Sequence, residues 1–319
     1  MDKEGLPKVV VLGGGTGMPV LLKGLKEYPL ELAAIVTVAD DGGSTGEIRK
    51  EMNMPAPGDI RKVIASLAQV DDELKALFQH RFQVDNQLSN HSVGNLVLAA
   101  MNSLTDDFYE AVDKVSELFQ VKGSIFPIVN ESIELHARLM DGTVISGESN
   151  IPVKNKKIQE IFITPEKVTP NPKVVQAIQE ADLVVISPGS LYTSILPNMI
   201  IGGVTEAIRQ TKANVVYVSN VMGQLGETEH YTTADHVEAI YHHIGKDTID
   251  TIVLHNQPID KDILALYKEE RSVPVPYDRE RLRSYQIRII EKDVIDYTDN
   301  VIRHNPAVLS EILFNLARE

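Results

Sequence analysis

A run of branched apolar residues that ends in a glycine cluster is the feature that most constrains this chain. Residues 9–12 read Val-Val-Val-Leu, residues 13–17 read Gly-Gly-Gly-Thr-Gly, and an apolar pattern with helical spacing begins at Met18. This order predicts a strand, a tight turn and a helix. The first N–H groups of a helix have no partner within it and carry the positive end of its dipole, so the turn suits a phosphate. A tight turn without a ligand is the alternative.

A second apolar strand, over residues 32–38, leads to Asp40 and Asp41, which are followed by two glycines. In a βαβ unit the acid after the second strand lies beside the phosphate turn and can bind a ribose hydroxyl, and Asp40 has that position. The two aspartates also suit a hydrated Mg²⁺, and an ordinary Asp-Gly turn is the structural alternative. Because Met18 stands where the dinucleotide fingerprint has its last glycine, that motif is incomplete, and the spacing is not that of a P-loop.

Composition narrows the class of protein. The chain has 319 residues, no cysteine and a formal net charge of −14. The lack of cysteine excludes disulfides, thiolate nucleophiles and cysteine-ligated metals. The negative charge argues against nonspecific binding to nucleic acid or to an anionic membrane, so an anionic ligand needs local donors. The charged start of the chain and the short apolar run after it predict a cytoplasmic protein with no signal peptide and no membrane insertion.

Strands that alternate with helices predict one Rossmann-like α/β domain over residues 1–319, with a mainly parallel sheet and helices on both faces. We expect a first half over residues 8–122, which includes a helical segment at 71–120, and a second α/β half over residues 174–319. Between them, residues 124–163 contain an alternating run and a turn at Asp141 and Gly142, which predicts a small antiparallel β insertion. Parallel sheets bind ligands at the carboxyl ends of their strands.

The residues that we expect to contact a ligand follow strand ends or lie near helix starts. They are Gly14, Gly15, Thr16, Gly17, Asp40, Asp41, Asp59, Arg61, His91, Asn95, Pro188, Gly189, Ser190, Thr193, Asn220, Tyr267 and Arg303. The loop at residues 187–194 is rich in hydroxyl and N–H groups, which suit a phosphate or a ribose.

Several of these candidates have an ordinary structural role as the alternative. His91 and Asn95 lie at a predicted helix start, where they either cap the helix or contact the ligand. Arg303 precedes another predicted helix, and its guanidinium either binds a diphosphate in bidentate fashion or is solvated. Tyr267 either stacks on a base or packs within a helix. No histidine has metal-ligand spacing, and no catalytic residue and no metal ligand is assigned.

The motifs of the chain, taken together and in order, resemble those of the bacterial gluconeogenesis-factor family. That family belongs to the superfamily of 2-phospho-L-lactate transferase, which the chain resembles in its glycine turn, in the acid after the second strand and in its Pro-Gly-Ser loop. The motifs that carry the family resemblance are residues 13–17 (Gly-Gly-Gly-Thr-Gly), 40–44 (Asp-Asp-Gly-Gly-Ser), 57–61 (Pro-Gly-Asp-Ile-Arg), 91–95 (His-Ser-Val-Gly-Asn) and 187–190 (Ser-Pro-Gly-Ser).

The resemblance implies a cytoplasmic factor that cells need for normal shape and for growth on gluconeogenic carbon sources. It also implies binding of a UDP-sugar such as UDP-N-acetylglucosamine and a link to peptidoglycan precursor supply, with a protein partner in cell-wall regulation. On that view Tyr267 contacts the base and Arg303 the diphosphate. NAD is the other expected ligand, no cofactor is required, and a homo-oligomer is left open.

One departure separates the chain from the transferases that it resembles. Their pattern after the second strand is Asp-x-Asp, whereas this chain has Asp59 followed two residues later by Arg61. The change removes a metal ligand and adds a charge that satisfies a diphosphate. The first hypothesis is therefore a sensor that binds a nucleotide diphosphate without a reaction.

Two enzymatic alternatives stay open. One is a Mg²⁺-dependent transferase of phosphorus-containing groups that uses a nucleotide donor, with Asp40, Asp41 and Asp59 around the metal. The other is an NAD-dependent dehydrogenase, against which the lack of an evident His–Asp or Tyr–Lys pair argues.

Overall fold

The strands of the protein form one large sheet and two small ones. The computed structural model describes residues 5–83, 88–154, 156–269, 272–298 and 301–319. Within these residues the strands are β1 (Lys8–Gly13), β2 (Glu31–Val36), β3 (Ser124–Pro127), β4 (Glu134–Leu139), β5 (Val144–Ser146), β6 (Ile158–Thr164), β7 (Leu183–Ile186), β8 (Asn214–Val218), β9 (Thr251–His255), β10 (Arg288–Lys292), β11 (Ile295–Thr298) and β12 (Val301–His304).

The large sheet has seven strands in the order β10-β9-β8-β7-β1-β2-β3, and all neighbouring pairs are parallel. The chain builds outward from β1 through β2 to β3, and later builds in the opposite direction from β7 to β10. Because β1 and β7 are neighbours, the direction of winding reverses between them. Open α/β sheets bind ligands in the crevice at the carboxyl ends of such a pair.

Helices flank this sheet, so the predicted Rossmann-like α/β fold is confirmed. α1 packs against α3 and α13, and α7 packs against α9. None of the helices in the described ranges combines the length and the apolar character that crossing a lipid bilayer requires. The helices are α1 (Gly17–Leu25), α2 (Gly43–Met52), α3 (Gly58–Leu67), α4 (Asp72–Gln79), α5 (Val93–Thr105), α6 (Phe108–Leu118), α7 (Pro172–Glu180), α8 (Leu196–Met199), α9 (Val204–Gln210), α10 (Thr233–Ile244), α11 (Lys261–Glu269), α12 (Arg279–Ser284) and α13 (Pro306–Ala317).

The two strands beside the crevice are deeply buried. Residues 9–12 of β1 and residues 183–186 of β7 are all Val, Ile or Leu, and none of them is more than 2% exposed. A parallel strand that is covered on both faces is apolar at consecutive positions, as these two segments are. Burying one such side chain contributes about 1.5–3 kcal/mol to stability. The loops that follow β1 and β7 therefore start from a firmly packed base.

The antiparallel insertion is present, but it is smaller than the predicted 124–163 segment. β4 pairs with β5 and with β6 in a three-stranded antiparallel sheet, with the turn at Asp141 and Gly142 between β4 and β5. β3, at residues 124–127, instead pairs parallel with β2 at the edge of the large sheet. The prediction was wrong at this boundary because a strand of only four residues is too short to show a hydropathy period.

Candidate functional site

A cavity of about 560 Å³ opens at the carboxyl ends of β1 and β7. Its wall includes most of the residues that were predicted from the sequence to contact a ligand, from both halves of the chain. Those in the wall are Gly15, Thr16, Gly17, Asp40, Asp59, Pro188, Gly189, Ser190, Thr193, Asn220, Tyr267 and Arg303. Those outside the wall are Gly14, Asp41, Arg61, His91 and Asn95.

The glycine turn after β1 touches the loop after β7. A Cβ atom on Gly17 would lie 2.2 Å from the carbonyl oxygen of Pro188, so only glycine allows this approach. Gly15 has a φ of +65°, which glycine adopts without strain. Gly17 is the first residue of α1, and Thr16 caps the helix without a side-chain hydrogen bond to it. The first N–H groups of α1 therefore lie at the wall of the cavity.

Asp59 holds the glycine turn through a hydrogen bond to its backbone. Its Oδ2 accepts a hydrogen bond of 2.7 Å from the Gly15 N–H, and its Oδ1 lies 2.8 Å from Lys62 Nζ. Asp59 and Lys62 are three residues apart in α3 and share one face of that helix. Both line the cavity, so Lys62 supplies a cation there that was not predicted from the sequence. The Gly15 amide is already used within the protein.

Arg61 lies away from the cavity, contrary to the expectation that it faces a diphosphate. Its side chain is buried, and Nε donates to Asn95 Oδ1 over 3.0 Å. Asn95 Nδ2 in turn donates to Ser44 Oγ over 3.3 Å, and His91 Nδ1 lies 2.9 Å from the same hydroxyl. These side chains connect the starts of α2 and α5 to α3 behind the wall. The cap of α5 is Ser92, which accepts from the Asn95 N–H.

The loop after β7 is held by two side chains that follow β8. The Asn220 amide both donates to the Gly189 carbonyl over 2.7 Å and accepts from the Gly189 N–H over 3.1 Å. Residues Leu191–Ile195 form a π-helical turn that continues into α8. Glu227 accepts from the Tyr192 N–H over 3.1 Å and from the Thr193 hydroxyl over 2.9 Å. Burial raises the pKa of Glu227 to about 7.

Carboxylates gather at one end of the cavity. Asp40 accepts from the Gly42 N–H over 2.9 Å, and burial raises its pKa. Asp41 points the other way and accepts from the Ser149 N–H over 2.8 Å, so it holds the β insertion. Glu148, in a short 3₁₀ turn after β5, lines the cavity. Burial, together with the neighbouring carboxylates, raises its pKa to about 8, so this side chain is mostly neutral at pH 7.

The predicted magnesium shell does not form from these acids. Asp41 is outside the cavity wall, and both oxygens of Asp59 are engaged by Gly15 and Lys62. In the part of the chain that the structure describes, no three Asp, Glu or His side chains converge as metal ligands do. The donor set therefore does not fit a metal held by Asp40, Asp41 and Asp59.

Aromatic and cationic side chains form another part of the wall. The Tyr267 hydroxyl accepts from the Ile302 N–H over 2.8 Å, which fixes α11 against β12. Arg303 is exposed on β12 and makes no ion pair with any described residue. His304 Nε2 lies 3.1 Å from the Ser219 carbonyl, and burial lowers the pKa of His304 to about 4. His304 is therefore neutral at pH 7 and donates to that carbonyl.

Several wall residues were missed from the sequence, among them the polar or titratable side chains of Lys62, Glu148, Gln224 and His304. For Lys62 a signal existed, because a residue three positions after Asp59 in a helix shares its face. Glu148 and Gln224 lie in segments without regular periodicity, so nothing in the sequence placed them near β1. His304 adjoins the predicted Arg303, but the pairing of β11 with β12 was not predicted.

The fold and the cavity define a doubly wound α/β protein with a candidate anion site at its switch point. The family model of 2-phospho-L-lactate transferase CofD matches residues 9–295. The gluconeogenesis factor of Bacillus subtilis (strain 168) is 46% identical over 98% of this chain and 99% of its own. That of Halalkalibacterium halodurans is 47% identical over 96% of this chain and 95% of its own.

A solved structure agrees with these sequence matches. The X-ray crystal structure of a Bacillus halodurans protein, 46% identical in sequence, superposes with a TM-score of 0.95 and covers 97% of this chain and 99% of that chain. The chain therefore belongs to the gluconeogenesis factor family. The resemblance drawn from the motifs is confirmed.

Proposed function

We propose that this protein is a cytoplasmic regulatory factor that binds a nucleotide sugar or a dinucleotide across the cavity. A protein partner in cell-wall regulation distinguishes the ligand-bound form of the factor from the ligand-free form. In the cell the factor would serve normal shape and growth on gluconeogenic carbon sources, with a link to peptidoglycan precursor supply. UDP-N-acetylglucosamine is the first ligand to test and NAD the second.

The observation that carries the proposal is the position of Arg303 in the wall that also contains Tyr267 and the start of α1. An arginine without an ion pair to the described residues keeps its donors for a ligand, and guanidinium geometry matches a diphosphate. Tyr267 offers an aromatic face for a base. The net charge of −14 makes such local donors necessary for an anion.

We favour binding over catalysis because two of the three acids expected around a metal, Asp41 and Asp59, are engaged by other groups of the protein. Asp59 holds Gly15 and Lys62, and Asp41 holds the β insertion. The transferase alternative keeps one specific support, which is the family model that matches the chain. Incubation with Mg²⁺, nucleotide donors and acceptors separates the two functions, because a transferase releases a nucleoside monophosphate and a sensor does not.

Calorimetric titration of the wild type with UDP-N-acetylglucosamine and with NAD tests the proposal. Arg303→Ala should weaken binding about 10- to 100-fold, since a hydrogen bond to a charged group is worth about 1.5–3 kcal/mol. The matched control is Arg283→Ala, which removes the same charge from an exposed position on α12 outside the cavity. No heat with any nucleotide diphosphate, or wild-type affinity in Arg303→Ala, would refute the proposal.

A further inference from the structure

Glu227 lies in the partition between two cavities. On one side is the cavity at the ends of β1 and β7, whose wall contains Thr193 but not Glu227. On the other side is a second cavity of about 690 Å³, whose wall contains Glu227 and Tyr192. Glu227 is only 5% exposed. Glu227 thus lines the second cavity, and it contacts the wall of the ligand cavity through the Thr193 hydroxyl.

The hydrogen bonds of Glu227 determine which way the Thr193 hydroxyl can point. Oε2 accepts from the Tyr192 N–H, a donor that cannot reverse, and Oε1 accepts from the Thr193 hydroxyl. While Glu227 is ionised, the Thr193 proton is directed at the carboxylate and only lone pairs are left for a ligand. Once Oε1 carries a proton, that proton is donated to Thr193 Oγ1, and the hydroxyl can turn its own proton toward the ligand cavity.

We propose that Glu227 is a proton-linked positioning residue, which converts Thr193 from an acceptor to a donor toward the ligand when an anion binds. Binding of a diphosphate then takes up a proton at Glu227 Oε1, where a new O–H bond forms and a carboxylate charge disappears. The inference rests on the proposed function, since it concerns the ligand of that same cavity. It adds a residue that does not touch the ligand.

The electrostatic surroundings favour this proton uptake. Among the described residues, no Lys or Arg lies within ion-pair distance of Glu227. Burial raises its pKa to about 7, so a small bias from a ligand changes its charge at cellular pH. The charges of Glu148 and Glu227 repel each other, which favours the protonated form of a carboxyl in this region. The Tyr192 hydroxyl is turned away and lies 2.9 Å from the Tyr231 hydroxyl.

The other titratable groups around the second cavity determine which variant can serve as a control. Lys156, Lys157, Glu229, His230 and His242 line it together with Asp235 and Glu238. Asp235 and Glu238 are paired with Arg281, so they are not free to take up the proton. Glu229→Gln is the matched control, because it makes the same chemical change in the same cavity without a contact to the loop.

The experiment measures the affinity for UDP-N-acetylglucosamine from pH 6 to pH 8, with proton uptake obtained from titrations in buffers of different ionisation enthalpy. For the wild type we expect the affinity to fall about fivefold from pH 6 to pH 8, since a rise of one unit in the pKa of Glu227 on binding changes the affinity about tenfold over the full titration. Glu227→Gln, whose amide donates to Thr193 permanently, should lose most of this pH dependence and keep only the part that comes from the ionisation of Glu148. Glu229→Gln should keep the wild-type slope.

A purely structural role for Glu227 would instead lower the affinity of Glu227→Gln at every pH. That result, or a wild-type slope that Glu227→Gln retains, overturns the inference and leaves the proposed function standing. If Glu227→Gln does not fold, carboxyl-carbon NMR of the wild type decides, because the pKa of Glu227 should rise when the ligand is added and an unchanged value overturns the inference. If no nucleotide binds at any pH, both proposals fail.

Discussion

The loops after β1 and β7 are each held by a buried carboxylate, but only one of these carboxylates has a cation beside it. Asp59 and Glu227 are both 5% exposed, and both accept from a loop N–H. Asp59 lies 2.8 Å from Lys62, whereas Glu227 has only the neutral donors of Tyr192 and Thr193. The two carboxylates are equally buried, but only Asp59 has a cation to stabilise its charge. We therefore expect protonation to affect the β7 loop, which Glu227 holds, more than the β1 loop.

The largest effect should come from breaking the contact that joins the two loops. Gly17→Ala places a Cβ atom 2.2 Å from the Pro188 carbonyl oxygen, so backbone must move. We expect a loss of about 2–4 kcal/mol in the free energy of unfolding, measured by urea denaturation. Gly189→Ala is the control, because its nearest neighbours are at 3.7 Å and its φ is not positive. Equal losses in the two variants would contradict the close approach.

The next effect sharpens the difference between the two carboxylates. Asp59→Asn weakens the bond to Gly15 and leaves Lys62 without its partner, and should cost about 1–3 kcal/mol of stability in urea denaturation. Asp72→Asn is the control, since Asp72 pairs with Lys75 at the same spacing but is 96% exposed, and should cost less than about 0.5 kcal/mol. Glu227→Gln, which strands no cation, should cost less than Asp59→Asn at pH 6. The reverse order would mean that Lys62 does not distinguish the loops.

The smallest effect concerns Glu148, at the acidic end of the cavity. Its pKa of about 8 means that it is neutral at pH 6 and negatively charged at pH 9. Glu148→Gln should leave the affinity for an anionic ligand unchanged at pH 6 and raise it about threefold at pH 9, where the wild type repels the ligand. Glu134→Gln, at the start of β4 and outside the cavity, should have no such effect. A gain at pH 6 as large as that at pH 9 would contradict the assignment.

Much of the fold could be read from the sequence because its strands are buried on both faces. The apolar runs at residues 9–12 and 183–186 are unbroken. The first is followed by glycines and a threonine and the second by serine, proline and glycine, so the strand ends and their loops were predictable. The parallel order followed from the alternation of strands and helices. β3 was assigned to the insertion because four residues reveal neither a period nor a partner.

The loops that form the candidate site were predictable from the sequence, but the side chains that face the cavity were not. Asp40 and Asp41 are adjacent in sequence, yet one faces the cavity and the other the insertion. Arg61 and Lys62 are also adjacent, but only Lys62 lines the cavity, since successive helical residues point about 100° apart. Glu227 contacts Thr193 across 34 residues of sequence. Which side chain of a motif faces a ligand, and which distant residue supports it, depends on packing that local patterns do not encode.

A co-crystal structure with UDP-N-acetylglucosamine would show whether a diphosphate binds in the crevice between β1 and β7. We expect the diphosphate to lie between the first N–H groups of α1, at Gly17, and the Arg303 guanidinium, with the base against Tyr267. A diphosphate bound in another cavity, or an empty crevice between β1 and β7 in crystals where the ligand is bound elsewhere, would contradict this expectation.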